Sequence, residues 1–125
     1  MTVVLDAGAL IGLEKRNARV AALIKRAMEI RVQLLVPAPV LAQVWRDSPR
    51  QHPLARLLST AGVQVIDLDQ RGAQAVGALL AATGAVDVVD AHVIVCAHLT
   101  RARKVVTSDP DDLRALDPTV PLTVV

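Results

Sequence analysis

Phenylalanine and tyrosine are absent from the 125 residues, and Trp45 is the one aromatic side chain. Cys96 is the one cysteine. A lone cysteine excludes a disulfide framework and any zinc site built on several thiolates. Glycine and proline number only six and seven, without period, so the chain is neither collagen-like nor low-complexity. The start, Met1-Thr-Val-Val-Leu-Asp6, has no basic n-region and meets a charge too early for a signal peptide. The most apolar stretch, Ala73 to Val86, holds Gln74, Thr83 and two glycines. It is shorter than the roughly 20 residues of a membrane span. A soluble, cytoplasmic chain with no membrane contact is therefore expected.

What is present is an apolar majority, 53% of residues against 21% charged, which excludes a disordered chain. The length suits one domain over residues 1–125. A mean hydropathy of +0.43 is high for a small domain, which has much surface for its volume. Part of that surface is expected to be covered by a partner or a second copy. The net charge of +2 does not by itself argue for nucleic acid, but its distribution is uneven. Lys15, Arg16, Arg19, Lys25, Arg26 and Arg31 stand close together with Glu29 as the one acid among them. Six of the twelve acids fall between residues 87 and 117.

Short apolar runs alternate with helical periods along the chain. Val3–Leu5, Gln33–Val36, Val63–Ile66, Lys104–Thr107 and Leu122–Val125 read as strands. Helices are expected over Ala7–Lys15, Ala18–Ile30, Pro39 to about Asp47, Leu54–Thr60, Gln70–Ala82, Val88–Arg101 and Pro110–Leu116. Pro39 can open its helix, and Pro49 and Pro53 bound a loop. This alternation predicts an α/β fold: a mainly parallel sheet with helices on both faces.

Asp6 follows the first strand and Asp109 the fourth. Open α/β sheets bind ligands beyond the carboxyl ends of their strands. Asp87 and Asp90, three apart, share one face at a helix start. Each aspartate alone reads as a helix cap, worth about 1 kcal/mol. Together, Asp6, Asp90 and Asp109 would converge on one rim. Two carboxylates roughly 4 Å apart repel by about 4 kcal/mol at an effective dielectric of 20. A bridging cation relieves that repulsion, and oxygen donors suit Mg²⁺ or Mn²⁺.

Three segments carry a resemblance. Leu5-Asp6-Ala-Gly-Ala-Leu-Ile11, Val89-Asp90-Ala-His-Val-Ile94 and Val106-Thr-Ser-Asp109-Pro-Asp-Asp-Leu113 resemble the acidic signatures of PIN domains, above all VapC-type toxins of bacterial toxin–antitoxin pairs. The resemblance spans Val3 to Leu116. It implies a three-layer sandwich and a metal-dependent endoribonuclease, with a small VapB-type antitoxin as partner and a homodimer or higher hetero-oligomer as the assembly. It implies that Asp6 and Asp90 hold Mg²⁺ or Mn²⁺, with Asp109 completing the catalytic set. Asp87 and Thr107 are expected to orient those ligands. The family usually has a glutamate on the helix after the second strand, where this chain has Gln43. Asp47, expected one turn on along the same face, and Glu14 are the candidate substitutes.

The metal lowers the pKa of a bound water and neutralises phosphoryl charge, so no histidine or tyrosine base is required. His92 points about 200° from Asp90 on a helical wheel, and His98 lies roughly 12 Å further along the axis. Cys96 reads as a buried, inert thiol, and Trp45 as a core or interface anchor rather than a base-stacking platform. Two other readings compete. One is a non-catalytic PIN-like module binding RNA or protein through a degenerate site, suggested by Gln43. The other is a phosphoacceptor domain built on Asp67, which leaves the pair Asp87 and Asp90 unexplained.

Overall fold

A computed structural model describes all of residues 1–125. In chain order it contains β1 (Thr2–Leu5), α1 (Ala7–Glu14), α2 (Ala18–Glu29), β2 (Gln33–Pro37), α3 (Ala38–Val44), α4 (His52–Leu58) and β3 (Val63–Ile66). There follow α5 (Gln70–Thr83), α6 (Val88–Leu99), β4 (Lys104–Thr107), α7 (Pro110–Leu116) and β5 (Leu122–Val124). The five strands are all parallel, in the order β3-β2-β1-β4-β5.

The strand order follows from burial. Val3, Val4 and Leu5 of β1, Leu34, Leu35 and Val36 of β2, and Val105 and Val106 of β4 are buried without alternation. Unbroken apolar runs are what a parallel sheet covered on both faces requires. The edge strands β3 and β5 have no buried residue. Right-handed crossovers then set the layers. The connections from β1 through β2 to β3 run one way across the sheet and put α1, α2 and α4 on one face. Those from β3 to β4 and β5 run the other way and put α5, α6 and α7 on the opposite face. α6 packs against β1, β2 and β4 and is buried from Ala91 to Ala97. No single helix is long and apolar enough to cross a membrane.

Several helix ends differ from expectation, for identifiable reasons. α2 stops at Glu29 and α6 at Leu99, because Arg31 (φ +57°) and Arg101 (φ +51°) turn left-handed just beyond. α5 runs to Thr83 and is closed by Gly84 at φ +75°. α4 begins at His52, and a 3-10 turn over Pro49–Gln51 replaces the expected open loop. α3 stops at Val44 instead of near Asp47: Trp45 is extended and Asp47 sits at φ +51°. Asp47 therefore does not share a helical face with Gln43, which corrects the expected placement.

Candidate active site

The crossover connections reverse their sense between β1 and β4, and such a switch point opens a crevice at the carboxyl ends of the strands. Asp6 follows β1 there, and its N–H donates to Val106 O at 3.1 Å. Thr107, fully buried, ends β4 beside it. The Thr107 hydroxyl favours the ionised Asp6 carboxylate, holding its pKa down against burial, and its oxygen accepts from the Asp109 N–H at 2.9 Å. One threonine thus ties the two aspartates together.

Gly8 is required by the same closeness. A Cβ there would lie 2.8 Å from the backbone nitrogen of Ser108 and closer still to its side chain. The first turn of α1 therefore presses directly on the β4–α7 loop.

Asp90 reaches the crevice from the opposite layer. Asp87 caps α6, accepting from the Asp90 N–H at 3.0 Å, which fixes the first turn. Burial pushes the Asp90 carboxyl up to about 6, and the charges of Asp87, Asp112, Asp6 and Asp109 add to the rise. Asp6 is also raised, chiefly by burial and least by Asp109. Hydrogen bonds from Thr107, Ala9 and Gly8 oppose that rise, so its carboxylate is both buried and well supplied with donors. Asp6 caps α1 as well, accepting from the Ala9 N–H at 3.2 Å.

Asp109 stands at the cap position of α7 yet its side chain makes no capping bond. Its proximity instead raises the pKa of the exposed Asp112 carboxyl. Asp112 is the member of the cluster that the sequence reading missed. Its spacing of three from Asp109 was the available signal, but an acid in a first helical turn reads as a partner of the helix dipole.

The remaining candidates fall elsewhere. Gln43 is exposed on α3. Neither Glu14 nor Asp47 is among the charges acting on Asp6 or Asp90. His92 is buried and faces Cys96, with Nε2 and Sγ 3.4 Å apart. Burial lowers the His92 pKa and pushes the Cys96 thiol up to about 11, so the first is neutral and the second inert. His98 is committed to Asp117, at 2.6 Å. Trp45 packs partly against the core.

The rim offers oxygen donors only, several sharing one low-dielectric crevice. No three His, Cys, Asp or Glu side chains stand together as a group that could hold a metal ion in this arrangement. Asp6 and Asp90 are the carboxylates that could contribute to a site whose remaining ligands are waters or substrate phosphates.

The PIN domain family profile matches residues 3–117. Among curated proteins none matches the sequence significantly. The chain is similar to one in the crystal structure of VapBC2 from Rickettsia felis bound to a DNA fragment from their promoter. The TM-score there is 0.73 at 17% identity, over 99% of this chain and 98% of that one. It is also similar to a chain of a toxin–antitoxin complex from Klebsiella pneumoniae, with TM-score 0.70 at 18% identity, over 98% and 96% of the two chains. Those two likenesses show a shared fold. With a profile spanning nearly all of the sequence and the sheet order now described, the chain belongs to the PIN domain family.

Proposed function

We propose that this chain, read as one PIN domain over residues 1–125, is a metal-dependent endoribonuclease of the VapC type, the toxin of a toxin–antitoxin pair. The observation that carries the reading is the gathering of Asp6, Asp90 and Asp109 at the switch point of the sheet, with the pKa values of Asp6 and Asp90 raised. Carboxyls perturbed by burial together with specific charge partners are candidates for a functional site.

Asp6 and Asp90 would hold Mg²⁺ or Mn²⁺, and Asp109 would complete the set. When bound, the ion supplies an activated water and positive charge against the phosphoryl oxygens. Thr107 holds Asp6 and Asp109 in mutual register. Asp87 fixes the first turn of α6 and so the direction of Asp90. The buried wall of Leu5, Val106 and Ala91 below the rim keeps the dielectric low, which strengthens every charge interaction there. The absence of a free histidine at the rim suits a reaction whose proton transfers pass through water.

The fold likeness to chains of two toxin–antitoxin complexes supports a small antitoxin as partner. The mean hydropathy of +0.43 supports a covered surface, as a homodimer or a hetero-oligomer with that antitoxin. In this reading the substrate is RNA and the compartment the cytoplasm. The test is incubation of purified protein with RNA in Mg²⁺ or Mn²⁺ against an EDTA control. Internal cleavage with either ion and none in EDTA is expected. Intact RNA under every condition would leave only a non-catalytic module, the reading that exposed, uncharged Gln43 favours.

A further inference from the structure

No phenylalanine or tyrosine is available to fill the core of this chain. The consequence shows between α2 and the sheet. The first turn of α2 is in direct contact with α1: a Cβ on Gly12 would stand 2.7 Å from the Val20 side chain. Past that contact a recess of about 200 Å³ remains between α2 and the strands β1, β2 and β4. Its walls are apolar and buried. Leu5, Leu34 and Val106 form the sheet side, and Val20 and Ile24 the helix side. An apolar cavity of roughly 150 Å³ admits benzene, so by proportion about eight carbon atoms fit here.

The mouth has the opposite character. Its exposed members are Arg26 and Ile30 at the end of α2 and Arg103 before β4, with half-buried Lys104 beside them. No carboxylate lines the recess. Glu29 meets Arg26 at 3.7 Å, but both side chains are more than half exposed, so that pair is weak. Arg103 reaches only the Met1 sulfur, at 3.3 Å, and Lys104 is in no ion pair. Apolar walls behind a cationic mouth match an anion with an apolar tail. The tail would enter the recess, and the carboxylate would take charge-assisted hydrogen bonds from the guanidinium groups. The volume is too small for a two-chain lipid. Lys104 pairs with Val3 and Val106 with Leu5, so the recess runs along both strands towards the residues just before Asp6 and Thr107. None of Asp6, Asp90 and Asp109 lines it.

We propose that this recess is a binding site for a free medium-chain monocarboxylate of about eight carbons, held at the mouth by Arg26, Arg103 and Lys104. The site is separate from the acidic rim and does not depend on the nuclease reading.

Calorimetric titration of the intact protein with straight-chain carboxylates tests this. Octanoate should bind saturably at one site and raise the melting temperature. Each methylene removed should weaken binding by roughly fourfold, so butanoate should bind about a hundredfold or more weaker. Dodecanoate should bind no tighter than octanoate, because the recess is already full. Octanol and octylammonium should each bind about fivefold or more weaker, for want of the negative charge. Ala27 is a half-buried wall residue on α2, and Ala27→Phe puts a ring into the recess. That variant should keep or raise the melting temperature, as cavity filling does, and lose octanoate binding. A triple variant, Arg26→Gln, Arg103→Gln and Lys104→Gln, leaves the buried walls untouched and should bind octanoate and octanol about equally. Absence of saturable binding overturns the site. So does an affinity that keeps climbing to dodecanoate, the mark of unspecific adsorption, or octanoate binding unchanged by Ala27→Phe. A dimer that Ala27→Phe splits, with octanoate bound by neither form, would overturn it too and make the recess an interface between copies.

Discussion

The two halves of α6 meet burial with different company. In its first turn Asp90 is desolvated among four other carboxylates, and its pKa climbs to about 6. Two turns on, Cys96 is desolvated among apolar neighbours, and burial alone pushes its thiol up to about 11. The second group is silenced, because a thiol protonated at neutral pH is neither ligand nor nucleophile. The first still ionises near neutrality, and its repulsions point to a cation that would relieve them. Burial perturbs both groups; the like charges around Asp90 separate a candidate site from a packed core.

The largest effect should come from removing the charges that distinguish the two. Asp6→Ala and Asp90→Ala are each expected to lower RNA cleavage by about a thousandfold or more, since an activating ion contributes several kcal/mol to the barrier. Both variants should still melt cooperatively. Cys96→Ala should leave the rate within about twofold. A Cys96 variant as inactive as the aspartate variants would erase the contrast within α6.

Next in size is the contact that crowds the rim. Gly8→Ala drives a methyl into Ser108. The expected cost is about 1–3 kcal/mol of stability from overpacking, read as a lower urea midpoint with an unchanged m-value. A Gly8→Ala protein as stable as the wild type would mean that α1 and the β4–α7 loop do not press together.

The pH dependence sharpens the comparison further. The folded pKa of Asp90 lies above its ordinary value of 3.8, so between 3.8 and about 6 the folded state binds more protons than the unfolded one. Without metal, stability should therefore fall as pH rises through that window. Asp90 is partly solvated, which limits the loss to on the order of 1 kcal/mol. Asp6 acts in the same direction. Melting in EDTA at pH 4.5 and pH 7.5 checks this. Buried His92, with its pKa lowered, acts in the opposite direction, so the reading is the difference between proteins: Asp90→Asn should lose less stability, or gain more, than wild type over that interval, and identical slopes in the two would contradict it.

The smallest effect belongs to Gln43. Its exposure leaves any added charge well screened, so Gln43→Glu should shift stability by only a few tenths of a kcal/mol. The sign carries the information. Melting temperature should drop slightly in EDTA, where a further carboxylate repels Asp6 and Asp90, and rise in Mg²⁺. Equal shifts in both conditions would place position 43 outside the rim.

Local signals in the sequence located most of this. Val63–Ile66, Lys104–Thr107 and Pro110–Leu116 have the bounds that their apolar runs and the Asp-Pro start indicate. The order of Asp6, Asp90 and Asp109 against the strands was legible because the crevice rule needs only topology. What was not legible depends on distant side chains. The early end of α3 is set by Gln51, seven residues past Val44, which accepts from the Arg46 N–H. No helical period reveals such a bond. Asp112 looked like an ordinary first-turn acid, because its role depends on where Asp109 points. Trp45 looked like an anchor and does touch the core, but its open side appears only once the loop after α3 is folded.

The central claim is that the carboxylates at the switch point form a cation site. Thermal melting of wild type and Asp90→Asn over a Mg²⁺ titration at pH 7.5 tests it most directly. A ligand that binds only the native state stabilises it by mass action, by about 2.7 kcal/mol at a hundredfold excess over Kd. The wild-type melting temperature should climb with Mg²⁺ and that of Asp90→Asn should scarcely move. Two flat curves, or two that rise together, would contradict the account.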